Sequence, residues 1–408
     1  MKYSSLWSSC PCQVLILGCL AGALSAAGAP TNALAQQYHI YAGNTHAHSS
    51  NTWSHGGQYE KATPTTGESK QKSKTTKILK PDWQKLQGSP SAHYRLAKSN
   101  GYDFYMVTDH SQEAVFQPVS LTNSAWAAAR RDAAAATDKD FAAIAGYEHS
   151  ENNGPKGTGH INVFNSSAYL NALAPGIDLP YFYRWLKTVP ADGEGPVVAS
   201  FNHPGPKGYD NWNHCDSGVA GIITLLEVIN SNNKIHYAAF LNALDKGWKV
   251  SPVCGNDNHS FWGITHNTSR TFVLAASRTK ADILQAMRNR RTYASLERNL
   301  QCHYTVNGTV MGSTLNGPEQ FKFEISISDP DTNDPQDGIT KIDIVKDGGT
   351  VVQIYDAKPA HSINWTPTIT DSTNKYFFVR VWNSGGGDAK AGKPAEPVAW
   401  LAPVWTGR

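Results

Sequence analysis

Seven short apolar runs along the amino-terminal part of the chain are bounded at one end by histidine, aspartate or glutamate. They close on Thr45-His46-Ala47-His48, Thr108-Asp109-His110, Gly146-Tyr147-Glu148, Asn202-His203-Pro204, Glu227 and Asn256-Asp257-Asn258-His259, and one opens on Gly159-His160. Between Tyr38 and about Leu274, runs rich in Val, Ile, Tyr and Phe alternate with helical or loop stretches. The pattern predicts a helix over Ser91–Asn100 feeding a strand over Asp103–Val107, and a helix over Ala125–Ala136 feeding Phe141–Ala145. It also predicts the helix Ile235–Lys246 before the strand Lys249–Val253, and the helix Lys280–Arg290 after the strand Thr271–Leu274. Such alternation argues for a parallel α/β architecture, and seven or eight units suggest a closed barrel whose strand ends share one rim.

After about Gln301 the period changes to two, over Phe321–Ile327, Ile339–Val345, Val351–Tyr355 and Tyr376–Val381, with Gly-rich turns between. This predicts a small antiparallel β-sandwich over residues 301–408. No clustered ligands are visible in it, so it is assigned no chemistry. One further stretch breaks the rhythm. Residues 56–88 carry Lys61, Lys70, Lys72, Lys74, Lys77, Lys80 and Lys85 with few acids, and read either as a solvated loop or as a basic flap that attracts an anionic substrate.

Composition narrows the picture. With 40% hydrophobic and 10% aromatic residues the chain is globular, and a net charge of +3 is too small to argue for nucleic acid or a membrane surface. Residues 1–35 have the layout of a secretory signal peptide: Lys2, the apolar stretch Val14–Leu24, then Ala33-Leu34-Ala35. Ile16-Leu17-Gly18-Cys19 offers a lipoprotein box as a second reading, and either way a periplasmic or secreted location is expected. Removal of the signal leaves Cys215, Cys254 and Cys302, so one disulfide is permitted, with Cys215–Cys254 one of the open pairings.

The chemistry lies in the run ends. His46 and His48 stand at i, i+2 on a strand and point the same way, and Asp257 and His259 repeat the spacing. Two such pairs facing each other across a barrel mouth would supply four ligands. Glu148 can bridge two ions, because a carboxylate offers two oxygens. His55, His110, His160 and His203 add nitrogen donors. Asp109 is a ligand or an acceptor that orients an imidazole, Arg270 a candidate phosphate contact or a surface arginine, and Glu227 divides evenly between a structural and a site role. Phe116, Phe182, Trp185, Trp212 and Trp262 could line an apolar pocket instead.

These segments, in this order, resemble the polymerase-and-histidinol-phosphatase (PHP) family. Arg291-Thr-Tyr-Ala-Ser295, Val306-Asn-Gly-Thr-Val-Met-Gly312 and the closing Ala399–Trp405 look like its CehA/McbA-type branch. The resemblance covers roughly residues 38–405. It implies a distorted seven-stranded β/α barrel over residues 36–300, followed by the β-sandwich. It also implies two to three divalent ions (Zn, Mn or Fe). One would take His46, His48, Glu148 and Asp257; a second Glu148, His160 and His203; a third His55, His110 and His259. The function expected is a metal-dependent phosphoesterase acting on phosphate mono- or diesters through a metal-bound hydroxide at a trinuclear site. A carbamate, amide or ester hydrolase using the same ions is the alternative, and an inactive secreted binding module is the reading from another class. The partner expected is a small anionic substrate, with no nucleic acid and no membrane span.

Overall fold

The computed structural model describes residues 38–53, 59–61, 77–151, 159–334, 337–385 and 396–408. The expected signal segment, His55 and most of the lysine side chains of the 56–88 stretch lie outside them.

The main strands of the amino-terminal half, among the described residues, are β1 (His39–Asn44), β2 (Phe104–His110), β3 (Ala142–Glu151), β4 (Gly159–Phe164), β5 (Val198–Asn202), β6 (Ile223–Asn230), β7 (Ser251–Cys254), β8 (Arg270–Ala275) and β9 (Thr292–Ser295). They form one sheet in the order β7-β6-β5-β4-β3-β2-β1-β8-β9. β2 and β6 are buried at every position, as strands covered on both faces must be. The helices over them are α1 (Pro90–Ser99), α2 (Ser124–Ala136), α3 (Leu179–Leu186), α4 (Tyr237–Asp245), α5 (Phe261–His266) and α6 (Lys280–Arg288). Four begin at side-chain caps, where Ser89, Asn123, Asp178 and Thr279 accept backbone N–H groups that the helix leaves unpaired.

The α/β class holds, but strict strand–helix alternation does not. β1–β2–β3 and β5–β6–β7 pair in parallel, whereas β4 runs antiparallel to both β3 and β5. Too few residues separate β3 from β4 for the helical crossover that a parallel pair needs. Among the described residues no backbone ladder links β7 to β8 or β9. Thr271 Oγ1 accepts from Cys254 N at 2.7 Å, and Thr292 Oγ1 bonds Ser251 Oγ at 2.7 Å, so side chains hold that edge.

The carboxy-terminal strands are β10 (Gln301–Val306), β11 (Gln320–Ser328), β12 (Ile339–Lys346), β13 (Thr350–Ala360), β14 (Ser362–Trp365), β15 (Tyr376–Asn383) and β16 (Ala399–Leu401). β16, β15, β12 and β13 extend the first sheet from β9, while β10, β11 and β14 lie in a separate antiparallel sheet. In β11, Phe321, Phe323, Ile325 and Ile327 are buried and alternate with polar residues. They meet Phe377, Val379 and Val381 of β15 in a core that also takes in Phe272 and Leu274 of β8 and Tyr293 of β9.

Cys215 is exposed and Cys254 and Cys302 are buried, all three free, so the permitted disulfide is not formed. Among the described residues no helix is long and apolar enough to cross a membrane.

Candidate metal centre

The ligands gather on one rim of the sheet, around the carboxy-terminal ends of β1, β2, β3, β5 and β7 and the amino-terminal end of β4. His46 and His48 fall just beyond β1, and Asp257 and His259 just beyond β7. The two pairs do not face each other across a mouth. They are neighbours, joined by a parallel bridge at Ala47 and Asn258, with His48 N donating to Asn258 O at 2.7 Å and Asp257 N to His46 O at 2.9 Å. The i, i+2 spacing then turns all four side chains to one side. His110 ends β2 directly opposite Glu148 on β3, and His160 on β4 pairs with Asn202, next to His203. His203 and Asp257 hold φ of 30° and 49°, sparsely populated for residues with a Cβ. Strain of this kind, on the order of 1–3 kcal/mol per residue, concentrates at functional sites.

Glu148 sits at the middle. Its Oε1 is 3.1 Å from His160 Nδ1, 3.4 Å from His203 Nε2 and 3.4 Å from His46 Nε2. Its Oε2 is 2.9 Å from His110 Nε2 and 3.6 Å from His48 Nε2. His46 Nε2 and His48 Nε2 are 3.0 Å apart, and Asp257 Oδ1 lies 3.1 Å from the latter. Three groups could each hold an ion: His46, His48 and Glu148; Glu148, His160 and His203; and His48, His110 and His259. Every sequence-predicted ligand within the described residues therefore converges. In the third group His48 stands with His110 and His259, where His55 had been expected.

Partners behind the rings decide which nitrogen faces inward. His46 Nδ1 donates to Glu227 Oε1 at 2.7 Å. Thr52 Oγ1 donates to Asp109 Oδ1 at 2.9 Å and so accepts from His48 Nδ1 at 3.3 Å. Glu113 Oε1 lies 3.5 Å from His110 Nδ1, and the Asp257 carbonyl accepts from His259 Nδ1 at 3.0 Å. Each leaves an Nε2 lone pair for the centre. Two lone pairs 3.0 Å apart repel unless a proton or a metal ion lies between them. Ligands at ~2.0–2.1 Å on one ion would be separated by roughly that distance. His259 Nε2 is buried with no protein partner, as a ligand atom waiting for an ion would be. Imidazoles with two carboxylates fit borderline divalent ions such as zinc, manganese or iron, and neither a thiolate site nor an all-oxygen one.

Without an ion, protons balance the charge of the crowded acids. Burial would raise Glu148, yet the imidazoles around it, His160 and His46 foremost, hold its carboxyl well below the usual range. Asp257 is depressed in the same way, against burial, by His46 and His48. Burial would lower His46, but Glu227, Glu148 and Asp257 hold it well above the ordinary imidazole range, while burial with His259 and His110 pushes His48 well below it.

Asp109 and Arg270 are not brought into the cluster. Asp109 accepts from Ser49 N at 2.7 Å, Ser49 Oγ at 2.6 Å and Thr52 Oγ1, so it shapes the turn after His48 and reaches the centre only through Thr52. Arg270 donates to the Asn267 and Ser269 carbonyls and stacks 3.7 Å over the Tyr102 ring. Glu227 is a site residue: besides His46 it accepts from His203 N at 2.6 Å and Asn230 Nδ2 at 2.8 Å. The apolar run Ile222–Leu226 that it closes was the available signal, although the strand continues to Asn230, whereas Thr52 and Glu113 carried none. The polar stretch also reaches the site, because Gln87 Nε2 donates to the Ser49 and Thr52 carbonyls at 2.7 Å and 2.9 Å.

A cleft of about 650 Å³ opens beside His160 and His203 and is lined by Pro204, Lys207 and Tyr209. The aromatic pocket does not form from the residues expected. Phe116, Phe182 and Trp212 are buried in the core and Trp185 packs against it; Trp262 alone of the five is well exposed, stacked on His266 at 4.8 Å.

No family model matches the chain, and no curated protein does. Among solved structures it is similar to a two-domain protein from Bacteroides vulgatus ATCC 8482, described as containing a predicted PHP-like metal-dependent phosphoesterase. The TM-score is 0.45 at 18% identity, over 90% of this chain and 96% of that one. PsfC from Pseudomonas syringae PB-5123 is similar at a TM-score of 0.35 and 16% identity, over 62% and 90%. Neither likeness is close enough to transfer a function.

Proposed function

We propose that this chain is a metal-dependent phosphoesterase, exported by its amino-terminal segment, that holds two or three divalent ions on His46, His48, His110, Glu148, His160, His203, Asp257 and His259 within a PHP-type barrel. One observation carries the reading: each oxygen of the buried Glu148 faces a different set of imidazoles, the arrangement of a bridging carboxylate. When bound, such ions supply a water acidic enough to ionise near neutral pH and positive charge for ester oxygens.

The chain's own residues do the rest. Glu227, Thr52, Glu113 and the Asp257 carbonyl fix the tautomers of four imidazoles, so these need no reorganisation as substrate arrives. His46 and His48 are fully buried, whereas the side chains of His160 and His203 are 20% and 27% exposed, so the ester approaches from the His160–His203 side. Lys207 on the wall of that cleft offers a cation to an anionic substrate. That lysine, and the burial of the aromatic residues a carbamate would have needed, favour phosphate. An inactive binding module would not be expected to retain a full donor set with its tautomers fixed.

The test is metal content together with turnover of bis-p-nitrophenyl phosphate, p-nitrophenyl phosphate and 1-naphthyl N-methylcarbamate. Two or three ions per chain with chelator-sensitive phosphate ester cleavage are expected. Carbamate turnover alone would move the chain to the other hydrolase class. Absence of both metal and turnover would remove the enzyme reading.

A further inference from the structure

A second group of potential ligands lies at one end of the carboxy-terminal sandwich. Glu297 follows β9, Asp329 follows β11, Asp337 precedes β12, and Asn383 ends β15 and donates to Glu297 Oε1. One carboxylate oxygen from each of Glu297, Asp329 and Asp337 lies within 4.8 Å of the other two. Acids crowd together on many surfaces without consequence, but here burial changes the energetics. Asp329 is 3% exposed; one of its oxygens accepts from Asp331 N at 2.8 Å, and the other is buried with no hydrogen-bond partner. Glu297 Oε2 is likewise buried with no donor group beside it, and the Glu297 carboxyl stands within hydrogen-bonding reach of Asp329. Among the described residues no lysine or arginine forms an ion pair with Glu297, Asp329, Asp331 or Asp337. Burial, a hydrogen bond with Asp329 and the charges of Asp329, Asp337 and Asp331 push Glu297 up to about 9, so without a cation the Glu297–Asp329 pair holds a proton that a bound ion would replace. Buried carboxylates with free oxygens normally meet a donor or a cation.

The donor set selects the cation. It is all oxygen, with no imidazole nitrogen or thiolate, which suits a hard ion. Asp329-Pro-Asp331-Thr-Asn333 repeats the alternate-residue spacing that opens calcium loops, although Asp334 stands where the helix–loop–helix version has glycine. Several carboxylates on loops from different strands also favour calcium over magnesium, which demands a rigid octahedron.

We propose that Glu297, Asp329 and Asp337, with Asp331 beside them, bind one calcium ion that ties the end of β9 to the loop between β11 and β12. The site is separate from the histidine centre and does not depend on how that centre is read.

Calcium titration of the full chain, followed by calorimetry and by thermal unfolding, tests it. Calcium is expected to bind and to raise Tm by at least about 3 °C at saturation. Asp329→Asn and Asp337→Asn should lose that rise, while His48→Ala keeps it, which separates this site from the histidine centre. In calcium-free buffer Asp329→Asn should be at least as stable as the parent, because it removes one of the repelling charges. That distinguishes a lost ligand from a damaged fold. No calcium-dependent rise, a rise that survives in both Asp variants, or one lost in His48→Ala would overturn the site. So would an Asp329→Asn chain that is destabilised equally with and without calcium.

Discussion

Replacing Glu227 by Gln should disable His46 as a ligand while leaving its position unchanged. The carboxylate receives three N–H groups: His46 Nδ1 on one oxygen at 2.7 Å, and His203 N and Asn230 Nδ2 on the other at 2.6 Å and 2.8 Å. Glutamine offers one oxygen and one NH2. A backbone N–H cannot change its chemistry, so the amide oxygen turns to His203 and Asn230, and the NH2 faces the imidazole. His46 Nδ1 must then accept, which moves its hydrogen to Nε2 and occupies the lone pair meant for the ion. Partners of this kind govern metal affinity by ~10–100-fold, about 1.4–2.7 kcal/mol. The forced tautomer places Glu227→Gln at the upper end. The assay is activity against free metal set by a chelating buffer, with bound metal measured in parallel. The activation curve should move to ~100-fold higher metal, with most of kcat recovered at saturation. A variant with parental metal affinity would refute the tautomer argument, and a loss of activity that excess metal does not rescue would show a different role for Glu227.

Gly255 should prove as sensitive as a ligand. A Cβ there would stand 1.8 Å from Glu227 Oε1 and 2.9 Å from His46 Cβ, so Gly255→Ala must displace the pair. A stability loss of ~1–3 kcal/mol with the same metal-affinity shift as Glu227→Gln is expected, read by denaturant unfolding and metal titration; unchanged affinity would contradict the packing. Acid stability gives an independent check through His149, which stacks on Phe182 at 4.0 Å and has both ring nitrogens buried without partners. Burial, with His160, lowers it to about 3. The unfolded chain takes up this proton below ~6.5 and the folded one does not, so the contribution is complete above that pH and falls as pH drops towards 3. Between pH 7.5 and 5 it amounts to about 2 kcal/mol. His149→Phe should flatten the pH dependence of stability by that amount, and an unchanged slope would mean His149 is not held neutral.

Much of the centre was legible because its ligands obey local rules. The i, i+2 pairs and the strand-end histidines follow from alternation, and Glu148 from its having two oxygens. The same alternation shows why Asp109 stands behind the centre, where it had been read as either a ligand or an orienting acceptor. Adjacent residues on a strand point to opposite faces, so with His110 aimed at Glu148, Asp109 had to aim away, towards Ser49 and Thr52. What the sequence could not disclose is which acceptor stands behind each imidazole. Glu227 reaches His46 across 181 residues, and no spacing rule marks such a partner. The antiparallel course of β4 was hidden for a related reason: a strand's apolar pattern reports its burial and says nothing of its neighbour's direction.

The carboxy-terminal half shows the opposite balance. Four of its strands were legible in outline, most clearly Gln320–Ser328, where one buried face imposes a period of two; Tyr376–Asn383 is buried almost throughout. Yet it had been assigned no chemistry, because a scan for ligands along the chain looks for neighbours in sequence. Glu297, Asp329 and Asp337 lie at the ends of different strands and meet only once β9, β11 and β12 are in place. The two sites therefore differ in how far they can be read in advance. The histidine centre is built from residues whose type is uncommon at strand ends, so each one stands out alone. The acidic group is built from residues ordinary in any loop, and only burial without a partner separates Asp329 from the many aspartates that bind nothing.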